Sequence, residues 1–130
     1  MPWIRNVSLQ DVKYGNHRNA EMLIQITDPC VEPPTPRSSF KEVYQFEFLD
    51  TDDVDNEFAC TSNQAAELVN LLQHALNTNM NVIVHCHAGI CRSGAVTEVG
   101  VMMGFEDTGK HRIPNVLVKT LMVKELGWSY

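Results

Sequence analysis

The stretch "NVIVHCHAGICRSG", Asn81 to Gly94, decides how this chain is read. Its first five residues are a short, almost wholly apolar run, typical of a strand covered on both faces. "SGAVTEVGVMMG", from Ser93, has the character of a helix, and the helix is expected to begin near Arg92 or Ser93. Between the two lies the turn Cys86-His87-Ala88-Gly89-Ile90-Cys91. Backbone N–H groups in such a strand-to-helix turn can point inward together, and the helix start adds free N–H groups and a positive dipole end. The loop is therefore an anion site, with phosphate a natural occupant. Gly89 supplies the backbone freedom that the turn requires.

Cys86 opens the turn. A thiol aimed at converging N–H dipoles and an arginine is expected to titrate low, within about 3.5–7.5 for such settings, and so to be a thiolate at neutral pH. Arg92 is the sixth residue after Cys86, which lets the chain curl and aim a planar fork at the same centre. That fork matches two phosphate oxygens at once. Ser93 follows and can donate a hydrogen bond to the cysteine sulfur, helping the thiolate leave in a second step. Three other readings compete. Zinc binding through Cys86, His87 and Cys91 lacks a partner pair at a ligand spacing such as C-x2-C. A Cys86–Cys91 disulfide would be a reversible oxidation state. A plain structural loop leaves Arg92 unexplained in an apolar neighbourhood.

Working outward, "EMLIQITD" (Glu21–Asp28) and "VYQFEFLD" (Val43–Asp50) read as strands, the second alternating Tyr44, Phe46 and Phe48 with Gln45 and Glu47. The four prolines of "PCVEPPTPRSSF" make the segment between them a loop. "TSNQAAELVNLLQHALNTN" reads as a helix with a Thr61–Gln64 capping box and an apolar stripe of Ala65, Leu68, Val69, Leu72 and Leu76. "IPNVLVKTLMVKELGW" reads as a last helix, with Pro114 in its first turn and Gly127 at its stop. The order is strand, strand, helix, strand, helix, helix, and the first twenty residues are the least readable. Helical crossovers imply an α/β fold: a small central, largely parallel sheet flanked by helices, with the anion loop between a central strand and a helix.

The bulk numbers fit a soluble protein. The 130 residues suffice for one modest core. A net charge of −6 argues against a general nucleic-acid binder, which needs a basic face. Much of the acid excess is local, in Glu47, Asp50, Asp52, Asp53, Asp55 and Glu57; such a run is usually a solvated loop. No apolar run reaches the ~18 residues of a membrane helix. "MPWIRNVSLQ" lacks a signal-peptide core, so the four cysteines are expected to be reduced and the protein cytoplasmic, or in the host cytoplasm for a phage protein.

"HCHAGICRS" resembles the His-Cys-(five residues)-Arg-Ser/Thr signature of the cysteine-based protein tyrosine phosphatases. "QITDP" and "FEFLDTDD" resemble strand ends of the small bacterial and phage members, and "IPNVLVKTLM" resembles the Pro-Asn start of the last helix in the dual-specificity subgroup. The resemblance spans roughly Met22 to Leu126 and implies a single phosphatase catalytic domain over residues 1–130. It implies Cys86 as the nucleophile that forms a phosphocysteine. Arg92 and the backbone N–H groups of the phosphate loop, His87, Ala88, Gly89, Ile90, Cys91 and Arg92, would hold the phosphoryl oxygens. Ser93 would assist hydrolysis, His85 would support the loop, and Asn115 would hydrogen-bond loop backbone and hold the site in shape. His87 is either a surface residue or a substrate contact.

The resemblance also asks for a general-acid aspartate some thirty-odd residues before the cysteine. Asp50 follows the strand directly and is preferred, although it lies 36 positions before Cys86. Asp52 and Asp53 are alternatives, and Asp55 a weaker one. No metal or cofactor is expected. The substrates implied are phosphorylated proteins or peptides, with phosphotyrosine and also phosphoserine or phosphothreonine admitted. The short chain leaves little material for a loop that deepens the cleft, and Tyr14, Tyr44 and Tyr130 form no evident aromatic clamp. Two alternatives stay open: a catalytically weak phosphopeptide-binding module, and a rhodanese-like cysteine enzyme. The sequence does not fix the oligomeric state.

Overall fold

The computed structural model describes residues 1–127; Trp128 and Tyr130 lie outside them. Among the described residues five strands form one all-parallel sheet: β1 (Trp3–Ser8), β2 (Met22–Thr27), β3 (Glu42–Glu47), β4 (Val82–Cys86) and the two-residue β5 (Glu106–Asp107). Their order is β3-β2-β4-β1-β5. β4 is central and buried at every position, as its apolar run requires. Its pleat sends Val82 and Val84 to one face and Ile83 to the other.

The helices are α1 (Leu9–Tyr14), α2 (Ser62–Asn77), α3 (Arg92–Met103) and α4 (Val116–Glu125). α2, α3 and α4 cover one face, where Ile4, Met22, Ile24, Val82 and Val84 meet Leu68, Leu72, Val96, Val99, Val118 and Met122. The short α1 covers the other face, over Val7, Leu23 and Ile83. α2 begins as its sequence demands: the Thr61 hydroxyl accepts from the Gln64 N–H at 3.1 Å, and the Gln64 carboxamide accepts from the Thr61 N–H at 3.0 Å. Gly127 takes the left-handed backbone of a helix stop, with φ 76°.

Four expectations need correction. The unread N-terminus forms β1 and α1, and β1 is an interior strand lying between β4 and β5. Its sequence, "WIRNVS", hides this because Asn6, a wholly buried position, is polar. β3 ends at Glu47, not Asp50; beyond Phe48, whose N–H still reaches the Thr27 carbonyl, the Leu49 N–H turns to the Phe58 carbonyl instead. Pro114 precedes the capping residue Asn115, so it lies before the first turn of α4. On α2, Ala75 is buried where Leu76 was expected, and Leu76 packs only at the margin.

Two measurements probe this core. Leu68 is fully buried between α2 and the sheet, so Leu68→Ala is expected to lower unfolding free energy by about 2–5 kcal/mol in urea titration. Burial holds the His85 imidazole below the usual 6.5, and the nearby Arg92 charge adds to this against an opposing hydrogen bond to the Cys86 carbonyl. The unfolded chain therefore takes up this proton first. Stability from His85 is present above about 6.5 and is lost as pH falls through the lower folded value. The urea midpoint is expected to fall between pH 7 and pH 5, and His85→Gln to make that fall shallower.

Candidate active site

The loop between β4 and α3 sits at the carboxyl end of the sheet, where parallel strands commonly present their sites. Cys86 ends β4 and is 3% exposed. Its sulfur lies 3.1 Å from the Ser93 hydroxyl, which is itself wholly buried in the first turn of α3. Cys91, the residue before α3, makes no side-chain cap, so no residue at that position competes for the first amides of the helix. His85 Nδ1 lies 3.2 Å from the Cys86 carbonyl; a carbonyl only accepts, so that nitrogen carries the proton.

The backbone of the loop is held from outside. The Leu9 N–H donates to the His87 carbonyl at 3.1 Å and the Ile113 N–H to the Ile90 carbonyl at 3.2 Å. The Cys91 carbonyl accepts from both Ala95 and Asn115 N–H groups at 2.9 Å. Gly89 has φ +77°, and a Cβ there would lie 2.4 Å from the Val7 carbonyl carbon. Glycine is thus required twice over, for its dihedral angle and for the closeness of β1.

Arg92 is 5% exposed and turned back into the protein. Its Nη1 donates to Asp28 Oδ1 at 2.7 Å and to the Phe48 carbonyl at 2.9 Å. Its Nε is buried with no acceptor among the described residues. Asp28 was not foreseen as a site residue. The available signal was its position at the end of β2, within "QITDP", on the edge where the loop sits. Asp28 shares a small cavity of about 30 Å³ with Leu9, Val31, His87 and Arg92.

On the opposite side, Asp50 and Asp52 line an open cleft of about 340 Å³ with Cys91, Ile113 and Asn115. Asp53 and Asp55 do not line it; the Asp53 carboxylate accepts the Asp55 N–H at 3.0 Å, within their own turn. Asp50 Oδ1 accepts from Asn115 Nδ2 at 2.8 Å. Burial raises the Cys91 thiol above its ordinary value, and the Asp50 carboxylate that it hydrogen-bonds adds to the effect. The Asn115 side chain clasps Asp50 and the Thr51 carbonyl and caps α4 through the Val118 N–H, while its main-chain N–H donates to the Cys91 carbonyl of the Cys86–Arg92 loop. Cys60 is a core thiol pushed up to about 12 by burial, and Cys30 is exposed, in the turn between Asp28 and Val31. Among the described residues no group of three or more His, Cys, Asp or Glu side chains could hold a metal ion.

Residues 42–103, just under half of the chain, match the family model "Tc-R-P: Polymorphic toxin system, DSP-PTPase phosphatase". That segment includes both the acidic loop and the whole Cys86–Arg92 turn. No curated protein matches the sequence. Among solved structures, human tyrosine phosphatase-like serine/threonine/tyrosine-interacting protein superposes with a TM-score of 0.68 at 16% identity, over 98% of this chain and 93% of that one. The Orf virus tyrosine phosphatase OH1, described as having triple substrate specificity, superposes with a TM-score of 0.55 at 20% identity. That match takes in 79% of this chain and 57% of the viral chain. The fold is thus shared with these phosphatase and phosphatase-like structures, and residues 42–103 are similar to the dual-specificity phosphatase family model.

Proposed function

We propose that the chain hydrolyses phosphotyrosine, and phosphoserine or phosphothreonine, in proteins through a phosphocysteine intermediate. The observation that carries this reading is the pairing, on one loop, of the Cys86 sulfur with the Ser93 hydroxyl beside an Arg92 whose buried Nε–H has no acceptor among the described residues. A buried guanidinium N–H left unpaired is costly, and a phosphoryl oxygen is a fitting acceptor for it. In the first step the Cys86 thiolate attacks phosphorus, the ester bond breaks, and the leaving oxygen takes a proton from a carboxylic acid. In the second, water attacks the phosphocysteine, gives its proton to the same carboxylate, and sulfur leaves as thiolate. Arg92 and the loop amides neutralise charge on the transferring oxygens in both steps. Asp28 holds the outer arm of Arg92, and Ser93 stabilises the departing sulfur.

Asp50 is the proposed acid. Its support is the Asn115 contact and the cleft that it shares with Cys91; Asp52, in the same cleft, is the alternative, and Asp53 a more remote one. The chemistry uses a thiolate and a guanidinium, with no metal or cofactor. The substrates are phosphorylated proteins or peptides, and a net charge of −6 disfavours nucleic acid as a partner. Among the described residues no helix is long and apolar enough to cross a membrane.

Turnover of p-nitrophenyl phosphate tests the reading. Cys86→Ser is expected to lower kcat on the order of 10⁴-fold or more, orthovanadate to inhibit the wild type, and EDTA to leave its rate unchanged. Ser93→Ala is expected to slow the second step, so that a burst of p-nitrophenolate precedes a slower steady rate. Vanadate binding without turnover would instead indicate a phosphopeptide-binding module, and thiosulfate-dependent sulfur transfer a rhodanese-like enzyme. Asp50→Asn is expected to cost about 100- to 10,000-fold in kcat with an aryl or alkyl ester of poor leaving ability, and Asp52→Asn far less. Full activity of Asp50→Asn across acid and neutral pH would transfer the acid role to Asp52 or Asp53.

A further inference from the structure

Asn6 is a carboxamide at 0% exposure in the middle of an interior strand, a place where an apolar side chain would be expected. Its polar atoms are all engaged, and none of them serves the sheet. Nδ2 donates to the Gly89 carbonyl at 2.7 Å and, more loosely, to the His111 carbonyl at 3.4 Å. Oδ1 accepts from the Lys110 N–H at 3.1 Å. Two carbonyl acceptors and one N–H donor fix which end of the amide is which. Asn6 therefore ties together two loops that are distant in sequence, the phosphate loop and the segment from Thr108 to Ile113. Both close on it at glycine. A Cβ at Gly89 would strike Val7, and a Cβ at Gly109 would lie 2.6 Å from Asn6 Oδ1.

A trans peptide is planar, so its C=O and the following N–H point in opposite directions. Holding the Gly89 carbonyl against β1 sends the Ile90 N–H the other way. The same argument runs along the loop: the Leu9 N–H on the His87 carbonyl fixes the Ala88 amide, and the Ile113 N–H on the Ile90 carbonyl fixes the Cys91 amide. In this series the Gly89 carbonyl alone is held by a side chain. We infer that Asn6 is a positioning residue of the phosphate loop, aiming the Ile90 amide at the phosphoryl group and coupling that aim to the Thr108–Ile113 segment. The inference rests on the proposed phosphatase reading and adds a determinant that the signature does not contain.

The test uses orthovanadate affinity and p-nitrophenyl phosphate kinetics, with folding checked by circular dichroism and thermal melting. In Asn6→Asp the ionised carboxylate cannot donate, and it opposes the Gly89 carbonyl. Vanadate affinity and kcat/KM are expected to fall about 100-fold near neutral pH, the scale for losing one oriented oxyanion donor. Once protonated, the introduced carboxyl can donate again, so the ratio of variant to wild-type kcat/KM is expected to climb as pH falls. Asn6→Leu, close in volume but without a donor, is expected to lose affinity at every pH with no such climb. Val69→Ala, in α2, is expected to lower the melting temperature and leave vanadate affinity intact. A folded Asn6→Leu or Asn6→Asp that binds vanadate within twofold of wild type at all pH values would reduce Asn6 to core filling. A loss that merely tracks the unfolded fraction would do the same. If Asn6→Leu does not fold, the pH-dependent ratio for Asn6→Asp decides alone. Wild type that neither binds vanadate nor turns over substrate would remove the phosphatase reading itself, which the Asn6 variants cannot do.

Discussion

The orientation of a few peptide units between Cys86 and Arg92 is the constraint on which the rest of this structure depends. An anion loop works only if its amide dipoles agree, and neighbouring peptides in a free turn do not agree spontaneously. Here their carbonyls are drawn away by donors from three different places: the first residue of α1, a buried side chain within β1, and the segment that leads into α4. The cost of orienting these amides is met during folding, so in the proposed reaction no reorganisation would be required as charge develops on the phosphoryl oxygens. The sheet order serves the same end. β1 lies directly beside β4, in register from Ile4–Val82 to Ser8–Cys86, so the chain following each strand emerges at the same edge.

Arg92 shows a second economy. A guanidinium at 5% exposure needs compensation, and a single half-exposed carboxylate, Asp28, with one carbonyl supplies it from the far side. The Asp28–Arg92 contact is charge-assisted and short, and it limits how the planar group can turn. The acidic loop is treated differently. Asp50 is drawn toward the site by Asn115, a residue that at the same time caps α4. Asp53 and Asp55 spend their polar groups on their own turn. Four aspartates that look equivalent in sequence are thus divided into two that line the cleft and two that do not.

Much of this was legible without coordinates. The apolar run of β4, the capping box at Thr61, the prolines before β3 and the Cys86–Arg92 spacing are local patterns. Each is dictated by backbone geometry over a few residues. β1 was not legible, because Asn6 breaks its apolar alternation, and the reason for that break lies at Gly89, 83 positions away. Asp28 escaped notice for a like reason: nothing near it in sequence says that an arginine 64 positions later will reach it. The side-chain contacts of Asn115 with Asp50 and Thr51 are likewise long-range, spanning more than sixty positions, whereas its main chain meets the Cys86–Arg92 loop at Cys91.

Local patterns of residues are enough to specify the α/β class, the central strand, and the loop that joins a thiol, a guanidinium and a helix start within eight residues. These follow from periodicity, turn chemistry and the short reach of the chain. Long-range packing settles which strand flanks that loop, which carboxylate holds Arg92, which aspartates face the cleft, and why a carboxamide is buried at position 6. Those are contacts between residues far apart in the chain. A hydrogen bond across the sheet depends on strand order and register, which no local pattern encodes.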